Sequence, residues 1–158
     1  MTMDRTYTIN YREYATVDAL APADRELVRL AVSAAATAYA PYSKFHVGAA
    51  LRLADGRVVT GSNQENAAYP SGLCAERTAL FAASAHYPDQ RDYEALAIVG
   101  CNHEGHLCEA APCGACRQVM MEYESQQGHP MRVLCYTADG GVREFQRVAD
   151  LLPFGFEM

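Results

Sequence analysis

The chain has 158 residues, of which 50% are hydrophobic and 20% charged, and this balance predicts one globular domain spanning residues 1–158. A formal net charge of −6 without any basic stretch argues against a nucleic-acid partner, because such partners need Lys and Arg to neutralise phosphates. No apolar run approaches the ~18 residues of a membrane span, and the first residues lack the basic-then-apolar order of a secretory signal. We therefore expect a cytoplasmic protein with a small, uncharged ligand and no membrane partner.

In chain order, hydrophobic periodicity and turn residues predict three helices and five strands. Pro22 occupies the first turn of a helix that runs to about Tyr39 and is ended by Pro41. Ala54-Asp55-Gly56 joins two strands in a hairpin, because Asp-Gly supplies the positive φ angles of a tight turn. The remaining predictions are strands at 47–53, 57–62, 96–100, 131–136 and 142–145, helices at 74–86 and 114–127, and a helical turn at 147–152.

The order of these elements, α-β-β-α-β-α-β-β, predicts an α/β fold in which helices cover both faces of a mixed sheet. No internal repeat or low-complexity linker divides the chain. Residues 1–20 form an N-terminal extension, in which residues 6–14 alternate loosely between polar and apolar types. The sequence assigns no function to this extension.

Two cysteine motifs carry the chemistry of the sequence. Cys74-Ala75-Glu76 and Pro112-Cys113-Gly114-Ala115-Cys116 each fall at the start of a predicted helix, where unpaired backbone N–H groups stabilise a thiolate. Cys113 and Cys116 lie on one face of a first turn and can chelate a single ion, which Cys74 must reach from the other helix. Reduced thiols are expected, because the chain looks neither secreted nor short of core.

Three cysteine ligands leave the fourth position of a tetrahedral Zn²⁺ open, and open zinc sites perform chemistry whereas closed ones stabilise folds. Glu76, two residues from a ligand, is placed to act on a water molecule in that position. Three thiolates and Zn²⁺ sum to a charge of −1, so the site needs compensation. Arg77 is a candidate to donate a hydrogen bond to a ligand sulfur, as residues outside the ligand set often do.

Two non-catalytic interpretations compete with an open site. Pro112–Cys116 alone is compatible with a redox dithiol, or with half of a structural zinc site completed by Cys101 and Cys108. However, Cys101 and Cys108 are seven apart, outside the usual gap of about 2–4 residues in zinc knuckles. We expect Cys101 and Cys135 to be small apolar residues at strand ends and Cys108 to lie in a loop.

Four segments, in order along the chain, resemble the cytidine deaminases of the small, three-cysteine type. They are Tyr42–Ala50, Asn63–Tyr69, Gly72–Ala79 and Pro112–Gln118. Zinc deaminases have a Cys₃ or His-Cys-Cys site and a Pro-Cys-x-x-Cys signature, and the last two segments match this pattern. The resemblance implies a three-layer α/β/α sandwich with a five-stranded mixed sheet, one Zn²⁺ per chain and a homotetramer.

The resemblance also assigns roles to individual residues. Cys74, Cys113 and Cys116 correspond to the zinc ligands and Glu76 to the proton shuttle. Asn63 and Glu65 correspond to residues that bind the ribose, and Phe45 to an aromatic beside the pyrimidine. Leu151–Phe156 resembles the family's aromatic tail. In it, Phe156 is preferred over Phe154 as the residue that reaches a neighbouring subunit's active site, with Tyr42 and Tyr69 near that boundary. The alternative is that these aromatics pack within one chain.

The implied reaction is the zinc-dependent hydrolytic deamination of cytidine and deoxycytidine to uridine and deoxyuridine, with release of ammonia, in pyrimidine salvage. The Glu65 carboxylate repels phosphate, which favours nucleosides over nucleotides. Three alternatives stay open. They are a deaminase of another aminated pyrimidine nucleoside, of the antibiotic deaminase type; a deaminase of nucleic acid, which usually has histidine where Cys74 stands; and a non-catalytic structural-zinc or redox module.

Overall fold

The computed structural model describes residues 2–158. A mixed sheet of seven strands forms its centre, in the order β1-β7-β6-β4-β2-β3, with β5 paired to the end of β4. The β4–β6 pair is parallel and the other pairs are antiparallel. The strands are β1 Tyr11–Tyr14, β2 His46–Leu53, β3 Val58–Ser62, β4 Tyr93–Cys101, β5 Leu107–Cys108, β6 Arg132–Tyr136 and β7 Val142–Phe145.

The predicted count of five strands was too low by two. β1 lies inside the N-terminal extension, where the alternation of residue types is weak, and it is placed by pairing with β7 rather than by its own pattern. β5 has only two residues, too few for any periodicity, and it puts Cys108 in a strand where a loop was expected. The five predicted strands are all present.

Helices cover both faces of the sheet, which confirms the predicted three-layer α/β/α sandwich. They are α1 Pro22–Ala35, α2 Ala75–His86 and α3 Gly114–Gln127. Alternating strand residues divide the core in two: Leu51 and Ile98 pack with residues of α2 and α3, whereas Ala50 and Val99 pack with residues of α1. This alternation follows from the two-residue period of a strand.

α1 ends at Ala35, four residues before the predicted end near Tyr39. Past Ala35 the chain turns, and the Tyr39 N–H donates to the carbonyl of Asn63 at 3.0 Å. Tyr39 also forms an isolated bridge with Gln64. A pairing with the segment after β3 therefore replaces the last predicted turn of the helix, although the local sequence is compatible with helix.

Two glycines let helices approach the sheet closely. A Cβ at Gly48 in β2 would lie 1.9 Å from the carbonyl oxygen of Ala31 in α1. A Cβ at Gly61 in β3 would lie 2.4 Å from the backbone nitrogen of Ala79 in α2. Since backbone cannot give way as a flexible side chain can, glycine is required at both positions. The close approach at Gly61 fixes α2, and with it the Cys74 motif, against the sheet.

The predicted hairpin turn is confirmed, with Gly56 at φ 88°. The turn between β6 and β7 is of the same kind, with Gly140 at φ 87°. Among residues 2–158, no helix has the length and apolar character needed to cross a membrane.

Candidate active site

The two cysteine motifs meet at the first turns of α2 and α3. Cys74 is the N-cap of α2 and Cys113 the N-cap of α3, as the sequence predicts, and Cys116 lies in the first turn of α3. The three sulfur atoms lie within 4.8 Å of one another, and the Sγ atoms of Cys74 and Cys113 are 3.8 Å apart. The partial positive charge at both helix N-termini favours thiolates here.

These three cysteines fit a zinc ion. Zn–S bonds of about 2.3 Å in a tetrahedral site place two sulfurs about 3.8 Å apart. The Cys74–Cys113 distance of 3.8 Å agrees with that value. Within residues 2–158 no other group of three or more Cys, His, Asp or Glu side chains is gathered closely enough to hold a metal. The rival four-cysteine set with Cys101 and Cys108 is therefore not assembled.

Arg77 supplies the positive charge that is expected to offset the three thiolates. Its Nη2 donates to the Sγ of Cys74 at 3.6 Å, and its Nε is buried without an acceptor among the described residues. A hydrogen bond from the Cys116 thiol, followed by that from Arg77, lowers the pKa of Cys74 to about 5. The contact with Cys74, followed by burial, raises the pKa of Cys116, so the pair retains one proton. Metal binding must displace that proton.

Glu76 is buried beside this cluster, with 3% of its surface exposed. Burial raises the pKa of Glu76 to about 7, and the negative charge of Cys74 adds to the effect. A carboxyl group with a pKa near neutrality can both take and return a proton at physiological pH. An exposed helix residue would not be shifted in this way, so Glu76 is not an ordinary surface glutamate.

The cysteine cluster opens into a cleft of about 830 Å³. Its charged lining residues are three acids and one base: Glu65, Glu76, Glu109 and Arg77. The cleft collects side chains from several elements around the carboxyl end of β4. The predicted residues among them are Phe45, Asn63, Glu65, Cys74, Glu76, Arg77, Cys113, Tyr42 and Tyr69, and Cys116 lies behind as a buried residue.

Asn63 organises one wall of the cleft. Its Oδ1 accepts from the Val47 N–H at 2.7 Å, and its Nδ2 donates to the Phe45 carbonyl at 2.9 Å. Each of these atoms keeps the capacity for one further hydrogen bond. The side chain therefore fixes the start of β2 and Phe45, which precedes it, and can also bind a ligand. Sequence reasoning foresaw only the second role.

Phe45 packs closely against Gly100 of β4. A Cβ at Gly100 would come within 2.7 Å of the Cζ of Phe45 and 3.0 Å of the Cys108 carbonyl. The ring is half-buried and lines the cleft, as a residue that contacts a planar ligand must.

Glu65 is held by the segment that precedes β2. Its Oε2 accepts from the backbone N–H groups of Tyr42 at 2.9 Å and Ser43 at 3.3 Å. A hydrogen bond from the Ser43 side chain, with these backbone donors, lowers the pKa of Glu65 below its ordinary range. The carboxylate is therefore ionised at neutral pH and has a second oxygen free to accept a hydrogen bond.

The aromatic residues predicted near a subunit boundary are exposed in the single chain. Tyr42 is 61% exposed, Tyr69 88% and Phe156 70%. Phe154 is 94% exposed. Tyr42 and Tyr69 line the cleft, and large apolar side chains left exposed together are typical of an interaction surface. Most of the surface of all four rings is thus accessible in the single chain.

Comparison with known proteins identifies the family of this chain. The family model described as the cytidine and deoxycytidylate deaminase zinc-binding region matches residues 22–128. The chain belongs to this family. A curated cytidine deaminase of Halalkalibacterium halodurans is 42% identical over 134 residues, covering 84% of this chain and 94% of the relative. One of Mycobacterium tuberculosis is 42% identical over 129 residues, covering 80% and 84%.

Solved structures agree. A crystal structure of cytidine deaminase from Burkholderia pseudomallei is 46% identical, with a TM-score of 0.71, and the match covers 83% of this chain and 97% of that one. A cytidine deaminase structure from Mycobacterium tuberculosis is 38% identical with a TM-score of 0.66, covering 84% and 96%. The family's zinc-binding region contains all three cysteines of the cluster, which confirms zinc as the cofactor.

Two residues that follow Cys116 in the family motif have roles that sequence reasoning missed. Arg117 donates from Nε to the Pro112 carbonyl at 2.8 Å and from Nη1 to the Leu151 carbonyl at 2.9 Å, which holds the cysteine loop. Gln118 binds the backbone of Phe156 through both amide atoms. Their position directly after a metal-ligating turn was the available signal. The family match begins at residue 22, so the N-terminal extension lies outside it.

Proposed function

We propose that this chain is a zinc-dependent cytidine deaminase, which hydrolyses cytidine and deoxycytidine to uridine and deoxyuridine and releases ammonia. The observation that carries the proposal is the buried carboxyl group of Glu76 beside three converged cysteines in an open cleft. A structural zinc site has no need for a buried acid with a pKa of about 7.

In the proposed mechanism, Cys74, Cys113 and Cys116 hold the zinc ion. Zinc, when bound, supplies a Lewis acid that lowers the pKa of a ligated water to around 7. Glu76 takes a proton from the attacking water and passes it to ring N3, while the oxygen adds to C4. Glu76 then takes the remaining proton of the hydroxyl added at C4 and gives it to the amino group, which leaves as ammonia as the C4 carbonyl forms. Arg77 offsets the negative charge of the three thiolates through Cys74.

Substrate binding is assigned to Phe45, Asn63 and Glu65. Phe45 contacts the pyrimidine ring, while Asn63 and Glu65 form hydrogen bonds with the ribose hydroxyls. Three acids and a single base line the cleft, and that base already contacts Cys74. A 5′-phosphate would therefore meet net negative charge. This supports nucleosides over nucleotides as substrates and leaves nucleic acid without a basic docking surface.

The test is ammonia release by purified, zinc-loaded protein from cytidine, deoxycytidine and their monophosphates. We expect turnover of both nucleosides and little of either monophosphate. Glu76→Gln should keep zinc and lose at least about 10²–10⁴ in kcat, the usual contribution of a general acid–base residue. A fully active Glu76→Gln protein would refute the mechanism. Activity confined to another aminated pyrimidine nucleoside would refute the substrate assignment.

We also propose that the protein acts as a homotetramer, with Tyr42, Tyr69 and Phe156 at subunit boundaries. Their exposure of 61%, 88% and 70% in the single chain supports this. Sedimentation equilibrium of the zinc-loaded protein should report four chains, and a monomer would refute the assembly.

β1 belongs to the same sheet as β2–β7, which supports a single domain. Six free cysteines support a reducing, cytoplasmic location.

A further inference from the structure

The C-terminal tail, residues 153–157, follows a defined path over α3. The Nε2 of Gln118 donates to the Phe156 carbonyl at 2.8 Å, and the Phe156 N–H donates to the Oε1 of Gln118 at 3.2 Å. The Gly155 N–H donates to the Leu152 carbonyl at 3.1 Å. These bonds hold the backbone, but they leave the rings of Phe154 and Phe156 exposed.

Phe154 makes the turn in this tail with an unfavourable backbone conformation. Its φ of 58° lies in the left-handed region, which residues with a side chain rarely adopt. Such a conformation persists only where surrounding contacts hold it. With 94% of its surface exposed, Phe154 receives little support from the core.

The N-terminal extension supplies a contact at this turn. The Tyr7 ring lies 5.9 Å from the Phe154 ring, centroid to centroid, at an interplanar angle of 49°. The Tyr7 hydroxyl donates to the Ala149 carbonyl at 3.1 Å, in the segment that leads into the tail. Among the residues described, Tyr7 is the one aromatic neighbour of Phe154.

The extension is itself anchored, so Tyr7 has a fixed base. Four residues of β1 pair with β7, from Tyr11 opposite Phe145 to Tyr14 opposite Val142. The Tyr14 hydroxyl donates to the buried Glu144 carboxylate at 2.8 Å. Glu13 pairs with Arg143 at 2.9 Å. Tyr7 therefore joins a segment attached to the sheet to a tail whose aromatic rings are exposed.

We propose that Tyr7 is a positioning residue for the C-terminal aromatic tail, and that the N-terminal extension thereby keeps Phe156 oriented for substrate binding in a neighbouring copy. The second half rests on the proposed function, in which Phe156 lies at a subunit boundary, and on the family resemblance, which implies that it reaches a neighbouring subunit's active site. The first half concerns one chain alone. The extension, which lies outside the matched family region, thus acquires a role in the activity.

The chain contains no tryptophan, so a single Phe156→Trp substitution creates a unique fluorescent reporter on the tail. We would measure acrylamide quenching and anisotropy of this zinc-loaded protein with and without Tyr7→Ala. Tyr7→Ala should increase quenching and lower anisotropy, because the tail loses its contact with the extension. Met3→Ala, at a 69% exposed residue of the same extension, is the matched control and should change neither. Identical quenching and anisotropy in Phe156→Trp alone, with Tyr7→Ala and with Met3→Ala would overturn the proposal.

Kinetics of the protein without the tryptophan substitution test whether Tyr7 affects substrate binding. Tyr7→Ala should raise the KM for cytidine about two- to fivefold, since an aromatic pair and a hydrogen bond of modest strength are lost. Zinc content and kcat should be unchanged, which a general loss of structure would not produce. Tyr7→Phe keeps the ring pair and should give a smaller effect. An unchanged KM in Tyr7→Ala would overturn the link to substrate binding. If the parent protein deaminated no nucleoside, the proposed function would fail while quenching still decided the positioning of the tail.

Discussion

A cluster of buried ionic side chains closes the end of the sheet remote from the cleft, and it makes a sharp stability prediction. Arg132 begins β6 and lies opposite Ala95 of β4, far from the Cys101 end that faces the site. Its Nη1 binds Asp24 Oδ2 at 2.8 Å and Glu144 Oε1 at 2.9 Å, and its Nη2 binds Asp24 Oδ1 at 3.0 Å. The side chains of Asp24 and Glu144 are 12% and 3% exposed.

Arg132→Met removes the cation and leaves both carboxylates buried. Breaking a buried ion pair from one side costs about 3–5 kcal/mol. Arg52 still binds Asp24 at 2.7 Å and Tyr14 still donates to Glu144 at 2.8 Å, so we expect the lower end, about 3 kcal/mol. For a chain of this size that lowers the thermal midpoint by about 6–12 °C.

The assay is thermal unfolding of the zinc-loaded proteins, followed by circular dichroism at pH 7. Arg29→Met is the matched control, because Arg29 pairs with Glu26 on the surface, with side chains 68% and 52% exposed. Its midpoint should be nearly unchanged, since exposed pairs contribute little. The kcat/KM of Arg132→Met at 25 °C should equal that of the parent. Equal midpoints for the two variants would refute the reasoning.

The same cluster determines how the stability loss of Arg132→Met depends on pH. Burial raises the pKa of Asp24 and of Glu144, but hydrogen bonds from Arg132, with Arg52 or Tyr14, outweigh it and leave both pKa values below the ordinary range. A carboxylate with a lowered folded-state pKa stabilises the protein above its unfolded pKa of about 4, and this contribution is lost as the pH falls through the folded value. The loss of stability caused by Arg132→Met should therefore be full at pH 7 and should shrink below about pH 4.

Three further predictions concern the site. Arg77→Gln should lower zinc affinity about 10–100-fold in chelator competition, because a donor to a ligand sulfur is lost, and an unchanged affinity would argue against its role. Cys74→Ala should lose zinc while Cys108→Ala keeps it, as metal analysis per chain would show; the reverse would favour the four-cysteine site. Glu65→Gln should raise the KM for cytidine roughly tenfold, since a hydrogen bond to a charged group is weakened. It should also narrow the preference for cytidine over its monophosphate. A widened preference would contradict the electrostatic exclusion of the phosphate.

Local patterns were enough to predict most elements of the fold. The helix at 114–127 and the strand at 142–145 have the predicted bounds, because turn residues and periodicity mark them within a few positions. β1 and the end of α1 were not predictable in this way. Both are decided by pairing with segments far along the chain, β7 for β1 and the segment after β3 for Tyr39.

The sequence by itself determined the chemistry that is available. Three cysteines at two helix starts, a glutamate two residues from the first and an arginine next to it are properties of neighbouring residues, and the family resemblance named their reaction. Only the tertiary structure decided that the three sulfurs converge, that Glu76 is buried with a pKa of about 7, and that Asn63 binds the backbone of Phe45 and Val47. Burial, pKa and convergence depend on side chains distant in sequence, so no local pattern carries them.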